Sequence, residues 1–153
     1  MRTLFVDSSA LAKRYLPEQG TKWIRQQFTQ DENTVIVSRL SSVEVMSAVA
    51  RRHREGIINS TSMLGIQNLL QRHFLKQYVV IEVNSDLTRD AVNLLTRHPL
   101  RAYDAIQLAT AMFVNKRMIS NGLQPVIFLC ADTKLLQIAD SEDLAAGNPD
   151  NHP

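Results

Sequence analysis

The chain has one cysteine, Cys130, so no internal disulfide can brace it. The thiol lies in the apolar run Val126–Cys130, where a buried, inert role is the natural reading. A reducing compartment, the cytoplasm, is expected. Apolar runs are short, none approaching the roughly 20 residues that a membrane-spanning helix needs, and no apolar stretch with a cleavage site follows Met1, so neither a membrane span nor an export signal is expected. Glycine motifs are missing too. Without G-x-x-x-x-G-K-S/T, G-x-G-x-x-G or G-x-S-x-G, the chain lacks the phosphate cradles of nucleotide-binding loops and the elbow of serine hydrolases. Its four histidines, His53, His73, His98 and His152, have no HExxH-type spacing, which argues against a zinc centre.

The 153 residues, 44% of them hydrophobic, suit one compact domain with a real core. The net charge of +2 is uneven, because after Cys130 a single base, Lys134, faces Asp132, Asp140, Glu142, Asp143 and Asp150. The remainder is distinctly basic. Arginine dominates the bases, and its planar fork suits phosphate better than a lysine point charge does. A polyanionic partner is weakly favoured; a solvated mixed-charge surface accounts for charge alone equally well.

Thr3–Val6 and Thr34–Val37 read as strands that each run into a Ser/Asp cluster opening a helical pattern. Helices are expected after Asp7-Ser8-Ser9 up to Leu16, from about Trp23 to Gln30, over Ser41–Arg54 and over Ser60–Gln77. In the last of these, Met63, Ile66, Leu70 and Phe74 share one face. Val79–Val83 reads as a middle strand, followed by helices at Asp86–Arg97 and Tyr103–Val114. In Tyr103–Val114 the polar residues Asp104, Gln107 and Thr110 form one stripe of an otherwise apolar helix. Val126–Cys130 is the most strand-like run, and a short helix through Ala139 follows it. From about Ala145 the tail looks loose. The expectation is an α/β three-layer sandwich with a mainly parallel central sheet flanked by helices, as one domain over residues 1–149 with a loose tail at 150–153.

Ligands in such sheets bind at the carboxyl ends of the strands. Asp7 and Asp132 should project from that edge. Each acid has an ordinary role available: Asp7 and Asp132 as helix N-caps, Glu44 in the capping box Ser41-Ser42-Val43-Glu44, and Asp104 near a helix N-terminus, favoured there by the macrodipole. Asp104 fits its ordinary role least well, since it opens a very apolar helix. Four carboxylates on one edge would repel each other unless a cation neutralised them. Oxygen-only donors point to Mg²⁺ or Mn²⁺, and a carboxylate-bound ion of this kind supports phosphodiester cleavage. An aspartate-nucleophile phosphatase is disfavoured, because position 9 is Ser where that chemistry needs a second Asp.

Four blocks together carry a family resemblance. Phe5-Val6-Asp7-Ser8-Ser9-Ala10 through Pro17-Glu18, then Val37-Ser38 through Ser42-Val43-Glu44-Val45, then Leu100-Arg101-Ala102-Tyr103-Asp104-Ala105-Ile106-Gln107, and last Cys130-Ala131-Asp132-Thr133 resemble the four acidic motifs of PIN-domain toxins of the VapC type. The order matches over residues 3 to about 149. The resemblance implies a metal-dependent endoribonuclease with Asp7, Glu44, Asp104 and Asp132 holding Mg²⁺ or Mn²⁺ and Ser9 assisting by hydrogen bonding. It also implies a toxin of a toxin–antitoxin pair, a homodimer, and a cognate antitoxin as partner. Arg101 and, from the run Arg51-Arg52-His53-Arg54, Arg51 are candidate RNA contacts, because Arg51 shares a helix side with Glu44. Tyr15 and Trp23 could stack a base, although a core or interface role is the commoner one. Position 8 is Ser where many relatives have Thr. Where relatives have a Gly and a final strand, this chain carries Glu142-Asp143, which leaves a last strand near Ala145 open. The rival readings are a catalytically silent RNA- or protein-binding module of the same fold, a receiver-like domain and a structure-specific DNA nuclease.

Overall fold

The computed structural model describes residues 1–153. Five strands, β1 (Arg2–Val6), β2 (Asn33–Ser38), β3 (Val79–Ile81), β4 (Ile127–Leu129) and β5 (Ala146–Gly147), lie in the order β3-β2-β1-β4-β5, with every neighbouring pair parallel. Helices cover both faces. Helices α1 (Ser8–Tyr15), α2 (Thr21–Thr29), α3 (Ser41–Arg54) and α4 (Ser60–Lys76) cover one, and α5 (Ser85–Arg97), α6 (Ala102–Ser120) and α7 (Thr133–Ser141) the other. This is the expected α/β three-layer sandwich. Side chains alternate across the pleat. Leu4, Val6, Val35 and Val37 join the core under α1–α4, whereas Phe5, Ile36 and Phe128 join the core under α5–α7. No helix is long and apolar enough to cross a membrane.

Two expectations about the elements need correction, and one question left open is answered. Val79–Val83 is not a middle strand, because β3 is short and lies at the sheet edge beside β2. Helix α6 runs six residues past Val114 to Ser120. The apolar run stops there, but Asn115-Lys116-Arg117 carries the helix on until Gly122 takes a left-handed φ of 70°. A last strand does form, since Phe128 N–H donates to Ala145 O and Cys130 N–H to Gly147 O.

The tail is fastened rather than loose. Asn148 caps a short 3-10 turn over Pro149–Asn151, and the Trp23 and His152 rings stack at 4.2 Å with their planes 6° apart. Lys13, buried on α1, reaches Asp150 at 2.7 Å and Glu18 at 3.3 Å. The signal was hard to read because the anchors lie more than 100 residues away in sequence.

A polar joint ties α1 to α4 and to the start of β3. Arg14 Nη1 donates to Tyr78 Oη at 2.6 Å, Tyr78 and Tyr15 hydroxyls are 2.6 Å apart, and Tyr15 Oη is 2.7 Å from His73 Nδ1. Tyr15 therefore belongs to the fold, not to a base-stacking surface, and Trp23 is taken up by His152.

Gly20 enables the α1–α2 corner. Its φ is 83°, and an added Cβ would stand 2.6 Å from Pro149 O. Gly56 shares the left-handed φ but has nothing nearby. Gly56→Ala should cost about 1 kcal/mol, the left-handed penalty alone; Gly20→Ala should cost about 2–3 kcal/mol because the backbone of the tail must also move. Urea unfolding of both variants would show the difference, and equal losses would mean that the tail is held too weakly to matter.

Candidate active site at the strand switch point

Strands β1, β2 and β3 step outward on one side and β4 returns to the other side of β1, so the connectivity reverses between β1 and β4. In open parallel sheets ligands bind at such a switch point, outside the carboxyl ends of the strands. Asp7 follows β1 and Asp132 follows β4, while Glu44 sits on α3 beyond β2 and Asp104 in the first turn of α6.

Asp7 is 2% exposed. Its N–H donates to Leu129 O at 2.9 Å, continuing the β1–β4 ladder, and its side chain caps α1, with Oδ2 accepting from Ser9 N at 3.1 Å and from Ser9 Oγ at 2.5 Å. Oδ1 is buried without a partner. Burial lifts the carboxyl from its ordinary 3.8 to about 6; Ser9 pulls against that, and Glu44 and Asp104 add to it. Ser9 Oγ in turn accepts from Ala131 N at 3.0 Å, so one hydroxyl joins the β1 and β4 corners. Cys130 Sγ lies 3.6 Å from it. Burial and the neighbouring Asp7 push the Cys130 thiol up, which keeps it protonated and inert, as its apolar run implied.

Glu44 departs from the capping box. The cap position of α3 is Leu40, with no side-chain bond, and Ser41 lies inside the helix. The carboxylate reaches across instead. Oε2 accepts from Ser8 Oγ at 2.9 Å and Oε1 from Gln107 Nε2 at 2.8 Å. Its pKa is raised by burial, against Gln107 and Ser8 and with help from Asp104. Asp104 is raised as well, by burial and then by Asp132, with Arg101 opposing. Asp132 is exposed and caps α7, Oδ1 accepting from Lys134 N at 2.9 Å and Leu135 N at 3.2 Å.

The four acids thus form a chain of mutual repulsion, Glu44 and Asp7 with Asp104, and Asp104 with Asp132. No three His, Cys, Asp or Glu side chains stand close enough to ligate one ion. The donor chemistry nonetheless suits a hard cation, being oxygen only, and Asp7 Oδ1 has no protein partner. Arg101 and Arg51 are exposed. Two surface grooves, between α5 and α6 and between α3 and α4, are lined by none of the four acids. Sequence reasoning left two site residues without a role, Ser8 and Gln107, although the polar stripe on α6 already marked Gln107.

A PIN domain family model matches residues 4–126. The chain belongs to the PIN domain family. The matched span contains Asp7, Glu44 and Asp104 and stops short of Asp132. A comparison with curated proteins finds no match. Among solved structures, FitAcB from Neisseria gonorrhoeae aligns with a TM-score of 0.65 at 16% identity, covering 98% of this chain and 99% of that one. The VapC20 toxin of Mycobacterium tuberculosis, which cleaves the sarcin–ricin loop, aligns with a TM-score of 0.63 at 18% identity over 88% of this chain and 93% of that one. A toxin–antitoxin complex from Klebsiella pneumoniae gives 0.56 at 20% identity, over 86% and 88%. At these identities the likeness is one of fold.

Because the Asp7 carboxyl titrates near 6 when folded and near 3.8 otherwise, its protonated form favours the fold. That contribution is full below about pH 4 and is lost as pH rises through about 6. Asp7→Asn cannot ionise. In EDTA, the stability of Asp7→Asn relative to wild type should grow by about 2–3 kcal/mol between about pH 4 and pH 7. A difference that stays constant over that range would mean that Asp7 ionises as freely as an exposed acid.

Proposed function

We propose that this PIN-domain chain is a Mg²⁺- or Mn²⁺-dependent endoribonuclease, the toxin of a toxin–antitoxin pair working in the cytoplasm. The observation that carries this reading is the buried, unpartnered Asp7 Oδ1 in the field of Glu44 and Asp104, an arrangement that costs stability unless a cation takes it up. Asp7, Glu44, Asp104 and Asp132 would hold the ion. When bound, it supplies charge neutralisation and Lewis acidity for phosphodiester hydrolysis. Ser9 keeps Asp7 Oδ2 occupied, which leaves Oδ1 for the ion. Arg101, at the start of α6, and Arg51, one face of α3 along from Glu44, would meet RNA phosphates. The similar fold in a toxin–antitoxin complex from Klebsiella pneumoniae supports an antitoxin protein as partner, and the homodimer is proposed on the motif resemblance alone.

One observation favours a second reading, a catalytically silent binding module. Asp7 and Asp132 already serve as helix caps, and no three acids converge.

Two measurements separate the readings. Purified protein should cut total RNA into discrete fragments with Mg²⁺ or Mn²⁺ and not in EDTA, and Asp104→Asn should abolish the fragments. Titration with Mn²⁺ should release or absorb heat and raise the melting temperature; a wild type with neither response loses the metal reading. Glu44→Gln is expected to lower activity at least about 100-fold while changing stability by less than about 1 kcal/mol, since no cap is lost. A large loss of stability on that change would assign Glu44 to the fold.

A further inference from the structure

Gln107 is fully buried on α6, between Ala105, Leu108 and Ala111, which are all core residues. It lies one turn after Asp104 and so on the same helix face. A buried amide is tolerated when its polar atoms are bonded, and Gln107 satisfies only half of that condition. Nε2 uses both protons, donating to Ser41 Oγ at 2.8 Å and to Glu44 Oε1 at 2.8 Å. Oε1 has no partner at all. The opposite amide orientation would set Oε1 against the Glu44 carboxylate, lone pair to lone pair. The carboxylate therefore dictates which way the amide points. An apolar side chain of the same volume would suit the surrounding core better, so the fold by itself does not explain a glutamine here.

We infer that Gln107 is a positioning residue that, with Ser8, fixes the Glu44 carboxylate for cation binding. This inference rests on the reading that the acids hold a cation. The two donors come from different elements, Ser8 from α1 onto Oε2 and Gln107 from α6 onto Oε1, and each occupies one lone pair. One lone pair on each oxygen stays free for a ligand. Glutamate has three rotatable side-chain bonds, and holding them before binding removes much of the ordering cost from the binding step. Donors of this kind behind a metal ligand are commonly worth about 10–100-fold in metal affinity. Because Gln107 shares a helix face with Asp104, the same register of α6 that presents one acid also aims another.

The test is calorimetric titration of the whole chain with Mn²⁺, comparing wild type, Gln107→Met and Gln107→Leu, with melting temperatures taken alongside. The dissociation constant should rise about 10–100-fold in each variant while the metal-free melting temperature holds or rises. In a Glu44→Gln background, Gln107→Met should add less than about a 2-fold effect. A folded Gln107→Met that binds within about 2-fold of wild type overturns the inference, as does an equal loss in the Glu44→Gln background. Should both variants fail to fold, the wild type decides the question by NMR. On saturation with Mg²⁺ the Gln107 side-chain amide resonances should shift together with the backbone amides around Asp7 and Asp104, and amide resonances that stay still while those move overturn it. Absence of any Mn²⁺ heat in the wild type would instead remove the metal reading itself, a result distinct from normal binding in the variants.

Discussion

Asp7 directly follows the central strand of an all-parallel sheet, and its carboxylate is almost wholly removed from water while the acids Glu44 and Asp104 act against its charge. Desolvation is the largest influence on it, and the surrounding groups are arranged in response. Ser9 donates twice to one oxygen, through N–H and Oγ, and the same hydroxyl receives Ala131 N–H from the β4 corner. The helix start that follows Asp7 offers free N–H groups. None of these groups reaches Oδ1. Oδ1 is left buried with no protein partner, a condition found where structure and function compete for the same group.

That competition is visible along the whole row of acids. Asp7 and Asp132 perform ordinary capping work, so the chemical role proposed for each would share a side chain with a structural one. Glu44 does not share in this way. Its helix begins at Leu40 without a side-chain cap, and the carboxylate crosses instead to groups on α1 and α6. Among the four it is the acid whose position is hardest to explain by helix formation, which inverts the expectation drawn from the Ser-x-x-Glu spacing.

The layers and most elements were legible because their periods are strong. Leu4, Phe5 and Val6 alternate across the sheet, and Met63, Ile66, Leu70 and Phe74 repeat along α4. Ends were less legible where tertiary contact decides them. The β5 pairing and the docked tail depend on Leu129, Gly20, Lys13 and Trp23, all distant in sequence, and the strand order that makes β3 an edge has no local signature. At the site, the resemblance supplied the acids and the polar stripe on α6 flagged Gln107, but spacing could not say that Glu44 accepts from Ser8 and Gln107 rather than from its own helix.

The joint of Arg14, Tyr78, Tyr15 and His73 has a consequence for how the protein answers to acid. Arg14 always donates to Tyr78 Oη, and the Tyr78–Tyr15 and Tyr15–His73 contacts continue the chain to the imidazole Nδ1. Burial, with the charges of Arg14 and Arg72 adding to it, lowers His73 to about 4. A neutral, half-buried imidazole supports the fold above its ordinary value near 6.5, and that support drains away as pH falls toward 4. Asp7 does the reverse across the same interval. Mild acid thus loosens one end of α1 while easing the strain at the other, and the helix is a beam whose two bearings respond to protons with opposite sign.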